Sequence, residues 1–436
     1  MVKRGLLVLL VGLTGLLSSC GSKATPAASG DGGEVKVSQD PVELVFYYPF
    51  PQDWDEEKFM STFGDPIHQK YPNITVKYIG GGGVDKLIAG GQKVDILFTS
   101  IGATPGQLMD NGLQYDISPL IKKYNANLDR FAPTLIDMQK TLADGAIYGL
   151  PVYVPPSVIY YNKDIFDKFG VPYPKDGMTW DDLYEMSKKL TRKDGDTQYL
   201  GFGSSYGHLA TMNQLSLPLV DTASRKAMLN SDDGWKLWVE NLVRFYKIPG
   251  YDLKSNQMSE PNERNRFFKD RIIAMFLAIT ALQDKKDMTD LNWDFASFPV
   301  MKERPGVGPQ AYPIYFYVTT MSDHKDQAFQ AVSYLTSDEF QLSQSKAGHF
   351  LTVLKDPKIR QSFGQDDPFY KNKNVKALLP DQYAPPGSVN KYNSVASGEM
   401  NSAIIRINLG EKDINTALRE AEENANKKIE AAESGK

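Results

Sequence analysis

IYGLPVYVPPSVIYYNKDIF, residues 147–166, is the stretch on which the fold turns. Ile147–Val154 and Ser157–Tyr161 both read as strands, and Pro155-Pro156 separates them. A proline cannot donate to a sheet ladder, so one central strand cannot run through the pair. The run therefore predicts two strands, with the chain leaving one lobe for another at the prolines.

The surroundings agree. The chain has 436 residues, more than one ordinary core holds, which predicts two lobes. Upstream, VELVFYY and NITVKYI read as strands around the helical DWDEEKFMSTFGDPIHQKY. GGGGVDKLIAGGQ then leads into VDILFTS, an apolar run with an acid just before it. Strands alternating with helices predict an α/β fold with a largely parallel sheet. Ligands in such folds lie beyond the carboxyl ends of strands, which points to 48–54 and 99–102. Downstream, Thr179 is the expected N-cap of the helix WDDLYEMSKKL. RIIAMFLAIT predicts a buried strand or helix end, and NWDFASFPV a further strand. Ile414, Ala417, Leu418, Ala421, Ala425 and Ile429 fall on one face of a closing helix.

The amino terminus reads MVKRGLLVLLVGLTGLLSSCGS. Lys3 and Arg4 precede an apolar run of 12 residues, Leu6–Leu17, too short to span a bilayer, as in a signal peptide. Leu17-Ser18-Ser19-Cys20 resembles a bacterial lipobox, and Cys20 is the single cysteine. Residues 1–20 are thus expected to be a signal peptide ending at a lipidated Cys20, and 21–40 a flexible Gly/Ser/Ala/Asp tether. The acyl chains would hold the protein on the outer side of the bacterial cell membrane. Net charge is −4 and no run of Lys or Arg suggests nucleic acid as a partner.

Gly203–Gly207, within GFGSSYGH, match the G-x-S-x-G nucleophile elbow, with His324 and His349 downstream. The preceding Thr197-Gln198-Tyr199 is not the strongly apolar strand that elbow needs, so the loop is read as part of a cleft and Ser205 as no nucleophile. His68, His208, His324 and His349 are scattered without zinc spacing. Asp53, Asp55, Glu56 and Glu57 read as a solvated helix start. Tyr47-Tyr48 and Tyr160-Tyr161 resemble the paired tyrosines of ferric-binding proteins, but strand alternation turns neighbours to opposite faces. No catalytic residue, metal or cofactor is expected.

The order of 147–191 resembles the family 1 extracellular solute-binding proteins, the maltodextrin-binding-protein-like receptors of ABC importers. The crossover, YYNKDIF, Gly170-Val171-Pro172-Tyr173-Pro174 and Thr179-Trp180-Asp181-Asp182-Leu183 carry the likeness. KVDILFTS, RFFKDRIIAMF, WDFASFPV and LGEKDINTALREAEENA follow in the family's order. The resemblance implies the two-lobed type II periplasmic-binding-protein fold. Lobe 1 would be 41–154 plus 309–338 and lobe 2 158–300 plus 345–436, with hinge crossovers near 154–158, 300–309 and 338–348. It implies a monomer that captures a carbohydrate between the lobes and delivers it to permease subunits and an ATPase encoded elsewhere. Positions matching the family's ligand contacts are Tyr48, Phe50, Trp54, Thr99, Ser100, Tyr153, Ser157, Tyr206, His208, Tyr312, Tyr315, His349 and Tyr392. Pro155 replaces the acid expected at the crossover, and Tyr312-Pro313-Ile314-Tyr315 a glycine-rich return. Those departures point away from maltodextrin, toward another oligosaccharide, a modified sugar or a plant-polysaccharide fragment. A peptide, polyol or ferric ion as ligand, and a hydrolase using Ser205, remain the alternatives.

Overall fold

Pro155 and Pro156 stand where the chain passes from one sheet to another. The computed structural model describes residues 37–279, 282–387 and 389–435. The expected signal peptide, the lipidated Cys20 and the tether up to Lys36 lie outside the described residues. Strands β1 (Val42–Tyr48), β2 (Ile74–Gly80), β3 (Ile96–Ser100) and β4 (Gly149–Tyr153) precede the prolines. After them come β5 (Ser157–Asn162), β6 (Arg192–Asp194), β7 (Thr197–Tyr199) and β8 (Gly203–Ser204). The remainder are β9 (Met275–Ile279), β10 (Trp293–Ser297), β11 (Val307–Gln310), β12 (Ile314–Val318) and β13 (Gln382–Ala384).

The first sheet has the order β2-β1-β3-β12-β4, the second β10-β5-β9-β8. The strands on either side of the prolines thus belong to different sheets. Pro151 is carried by β4, an edge strand, where no outer neighbour needs its missing N–H. In the first, five-stranded sheet every strand but β12 runs in one direction. β1 runs parallel to β2 and β3, but β12 is antiparallel to both β3 and β4. In the second sheet β5 is antiparallel to β9 and β10. The reason is connectivity: β12 re-enters from the other half of the chain, so no βαβ crossover within its own sheet dictates its direction.

Side chains on the first sheet form one stacked aromatic core. Phe98 stacks on Phe316 at 4.5 Å and on Tyr48 at 4.4 Å, and Phe59 and Phe63 pack beside them. Residues 350–354, given to the second lobe on sequence, bridge to first-sheet elements. Val154 N–H donates to Leu351 O and Ala132 N–H to Val353 O. The helix expected over 53–71 forms over 56–70, with a π-helical turn at Met60–Gly64 just before Pro66, which cannot continue the i→i−4 ladder. Thr179 caps the helix Trp180–Leu190 in a capping box with Asp182. The helix Ile414–Glu433 buries Ala417, Leu418, Ala421, Ala425 and Ile429 against the helix Asn393–Asn408.

The acid before β3 is structural. Asp95 is buried, and its carboxylate accepts from Val45 N–H at 2.9 Å and from Ser322 Oγ at 2.6 Å. It ties β1 to the turn after β12. Asp95→Ala leaves both donors unpaired, and the expected loss is about 1–3 kcal/mol in a urea-denaturation midpoint.

Candidate functional site

The registers bring chemistry to one edge of each sheet. Ser100 at the end of β3 and Tyr153 at the end of β4 both lie opposite Ile314 at the start of β12. Tyr48 ends the parallel β1. In the second sheet, Ser157 at the start of β5 lies opposite Ile279 at the end of β9, and Val158 opposite Ser297 at the end of β10. A cavity of about 360 Å³ lies between the edges. Tyr48, Phe50, Asp53, Ser100, Tyr153 and Tyr312 line it from one side, and His208, Glu260, Arg264 and Asn265 from the other. A second cavity of about 520 Å³ shares His208, Glu260 and Tyr312 with it, and a third of about 370 Å³ shares Asp53, Tyr153 and Pro155. The three are compartments of one cleft.

Its aromatic wall is held by hydrogen bonds. Trp54 Nε1 donates to the Tyr153 hydroxyl at 2.7 Å, and Ser100 Oγ to the Tyr312 hydroxyl at 2.9 Å. Tyr48 lies nearly parallel to Phe98, at 11°, and its hydroxyl donates to Asp53 Oδ2 at 3.3 Å. Burial pushes the Asp53 carboxyl up, against the opposing pull of Arg264 and the Tyr48 bond. Arg264 pairs with Glu260 at 3.2 Å, one turn earlier on the helix Glu260–Phe268. Lys58 reaches across the cleft to Asp284 at 3.0 Å, while also donating to Asp53 O at 2.8 Å. His208 and Tyr312 meet with ring centroids 5.2 Å apart. Burial first, and the Arg264 guanidinium second, bring the His208 imidazole down to about 4. Rings and paired charges of this kind bind a ligand with apolar faces and many hydroxyls.

Nine of the expected site residues line these compartments: Tyr48, Phe50, Trp54, Ser100, Tyr153, Tyr206, His208, Tyr312 and His349. Four stand elsewhere. Thr99 and Tyr315 are a register pair, both fully buried, and Tyr315 donates its hydroxyl to Leu135 O. Period-2 alternation turns both away from the cleft. Ser157 is buried within β5, and Tyr392 donates its hydroxyl to Glu433 Oε1 at 3.3 Å. Asp53 was read as part of a solvated helix start. Asp55 is the N-cap there, accepting from Lys58 N–H at 2.9 Å, and both Asp53 and Asp55 line compartments of the cleft. Glu260, Arg264 and Asn265 were missed. The one sequence signal for them is the i,i+4 Glu/Arg spacing just ahead of the apolar Phe267-Phe268.

Ser205 carries no nucleophile geometry. It is fully buried, and its Oγ accepts from Ile279 N–H at 3.0 Å. His349 Nδ1 is instead 2.6 Å from Gln344 Oε1, and His324 sits at the start of the helix Lys325–Leu335, beyond β12. Among the described residues no three His, Cys, Asp or Glu side chains converge as metal ligands.

Residues 50–342 match the sequence model of the bacterial extracellular solute-binding proteins. The arabinooligosaccharide-binding protein of Bacillus subtilis is 26% identical over 195 residues, spanning 43% of this chain and 42% of that protein. The chain thus matches less than half of that relative's length. Among solved structures, an ABC substrate-binding protein from Listeria monocytogenes in complex with cycloalternan superposes with a TM-score of 0.71 at 21% identity, over 89% of this chain and 99% of that one. The sugar-binding protein MalE of Xanthomonas citri superposes with a TM-score of 0.64 at 16% identity, over 90% and 98%.

The cleft carries a pH signature. An unfolded imidazole titrates near 6.5 and the folded His208 at about 4. Between those values the unfolded chain binds the extra proton, so stability falls as pH drops through that window and is unaffected above it. His208→Gln removes this contribution. Wild type should lose on the order of 1 kcal/mol more than the variant between about pH 7 and about pH 5, read from denaturant midpoints.

Proposed function

We propose that this chain, which belongs to the bacterial extracellular solute-binding proteins, captures a carbohydrate in the cleft between its two larger sheets and delivers it to an ABC importer. The mixed lining of the central compartment carries the reading. Tyr48, Phe50 and Tyr312 offer ring surface to the C–H faces of a sugar, while Asp53, Arg264 and Asn265 offer acceptors and donors to its hydroxyls. The arabinooligosaccharide-binding relative, the cycloalternan complex and the sugar-binding MalE support the same ligand class.

The two lobes would be 41–154 with 309–338 and 158–300 with 345–436, and the bonds of Leu351 and Val353 to Val154 and Ala132 favour counting 350–354 with the first. Closure about 154–158 and 300–309 would trap the ligand. The closed monomer would then dock on permease subunits encoded elsewhere. The family is extracytoplasmic, and among the described residues no helix is long and apolar enough to cross a membrane. The lipobox-like Leu17-Ser18-Ser19-Cys20 would supply the attachment through a lipidated Cys20.

Two outcomes test this. In a thermal-shift screen of mono- and oligosaccharides, with mannitol, ferric ion and short peptides alongside, one sugar class should raise Tm saturably. At about 100 times its Kd, binding adds about 2.7 kcal/mol, a shift of a few degrees. Tyr312→Ala should weaken that sugar about tenfold in calorimetric titration. A shift with only a non-sugar ligand would replace the carbohydrate reading. Separately, Cys20→Ser should move the protein from the membrane to the soluble fraction of expressing cells.

A further inference from the structure

We infer that Glu263 is a positioning residue that, by resting on Gly203, sets where Arg264 meets a ligand, an inference that rests on the carbohydrate reading above. Glu263 is fully buried and stands outside the three compartments, while Glu260 and Arg264 line the central one. All three belong to the helix Glu260–Phe268, which packs on β8 and β9. One oxygen of the Glu263 carboxylate accepts from Arg266 Nη1 at 3.0 Å, and Arg266 Nη2 donates to Gln257 O at 2.6 Å. The acid is thus held by a donor that is itself held. Burial pushes the Glu263 carboxyl up to about 8 against the pull of Arg266. That is the direction expected where no solvent reaches the charge.

The second oxygen of Glu263 meets β8. A Cβ added to Gly203 would stand 2.6 Å from Glu263 Oε2 and 2.7 Å from Ile273 Cδ1, closer than non-bonded carbon atoms approach. The φ of Gly203 is outside the left-handed region, so glycine is needed there for room and not for backbone freedom. This accounts for the opening glycine of the G-x-S-x-G stretch, whose serine is no nucleophile. Nor is β8 free to yield. Gly203 and Ser204 pair with Phe276 and Leu277 of β9. Ser205, the next residue, donates its N–H to Leu277 O at 3.0 Å and accepts from Ile279 N–H at its Oγ, also at 3.0 Å. With the strand fixed on one side and Arg266 on the other, the length of the Glu263 side chain sets how far the helix stands from the sheet. Arg264 follows Glu263 directly in the chain. A close-packed interior transmits such a displacement instead of absorbing it, so Arg264 moves with its neighbour.

The experiment is calorimetric titration with arabinotriose, or, where that gives no thermal shift, with the sugar that gives the largest shift in the screen above. It compares wild type, Gly203→Ala, Glu263→Asp and the two changes combined, each with its Tm measured without sugar. Either single change should weaken binding about tenfold, the added methyl by pushing the helix away and the shorter acid by drawing it in. Combined, the shorter acid makes room for the methyl, and affinity should return to within about threefold of wild type. In an Arg264→Ala background either single change should cost less than about threefold, because its effect runs through that side chain. A lower Tm with unchanged affinity would make Glu263 a purely structural residue and overturn the inference. So would a double variant as weak as the two losses multiplied, or an undiminished loss in the Arg264→Ala background. If Gly203→Ala does not fold, Glu263→Asp with and without Arg264→Ala decides in the same way. If no sugar binds wild type, the carbohydrate reading falls, and amide hydrogen exchange over 260–268 decides the seat of the helix. Faster exchange in Glu263→Asp would uphold the seat, and unchanged exchange would overturn it.

Discussion

Everything in this molecule hangs on two adjacent prolines that cannot donate to a sheet. Because Pro155 and Pro156 interrupt the ladder, β4 closes one sheet and β5 opens another only a few residues later. The carboxyl end of one strand and the amino end of the next are thereby tethered at the same place. Tyr153 is carried to the rim of the first sheet and the Ser157–Ile279 pair to the rim of the second. A cleft between them follows from that covalent constraint, before any side chain in it is considered.

The walls differ in how they are made firm. On the first-sheet side a stack of Tyr48, Phe98 and Phe316 backs the rim and holds the Tyr48 ring in place. On the second-sheet side the rim residues stand on the helix Glu260–Phe268, whose inner face is anchored by the buried Glu263–Arg266 pair at 3.0 Å and by Phe267 and Phe268. Lys58 and Asp284 join the two walls by an ion pair that is partly exposed, an interaction of modest strength that salt screens. The walls are thus firm and the clasp between them weak.

Much of this was legible beforehand, and the reasons are local. The Thr179 cap depends on residues three apart, and the buried stripe of the closing helix on a period of 3.6. The break at Pro155-Pro156 is a property of two residues. The antiparallel entry of β12 was not legible, because strand direction follows from where the chain has been, and that is a long-range matter. Nor was the orientation of Thr99 and Tyr315. Both adjoin true rim residues, Ser100 and Ile314, and a single step along a strand reverses the face.

The sequence alone determined the two-lobed α/β plan, the place where the chain crosses, and the supply of aromatics near the strand ends. Prolines, periodicity and caps act over a few residues, so their consequences can be read one segment at a time. Only the tertiary structure decided that Asp53 faces a cleft instead of solvent, and that Arg264, Glu260 and Asn265 are opposite it. It likewise decided that Ser205 spends its hydroxyl on the backbone of β9. Those assignments depend on which of two faces a residue shows and on what stands across the gap. Both are set by packing between segments some two hundred residues apart, such as the ion pair of Lys58 with Asp284.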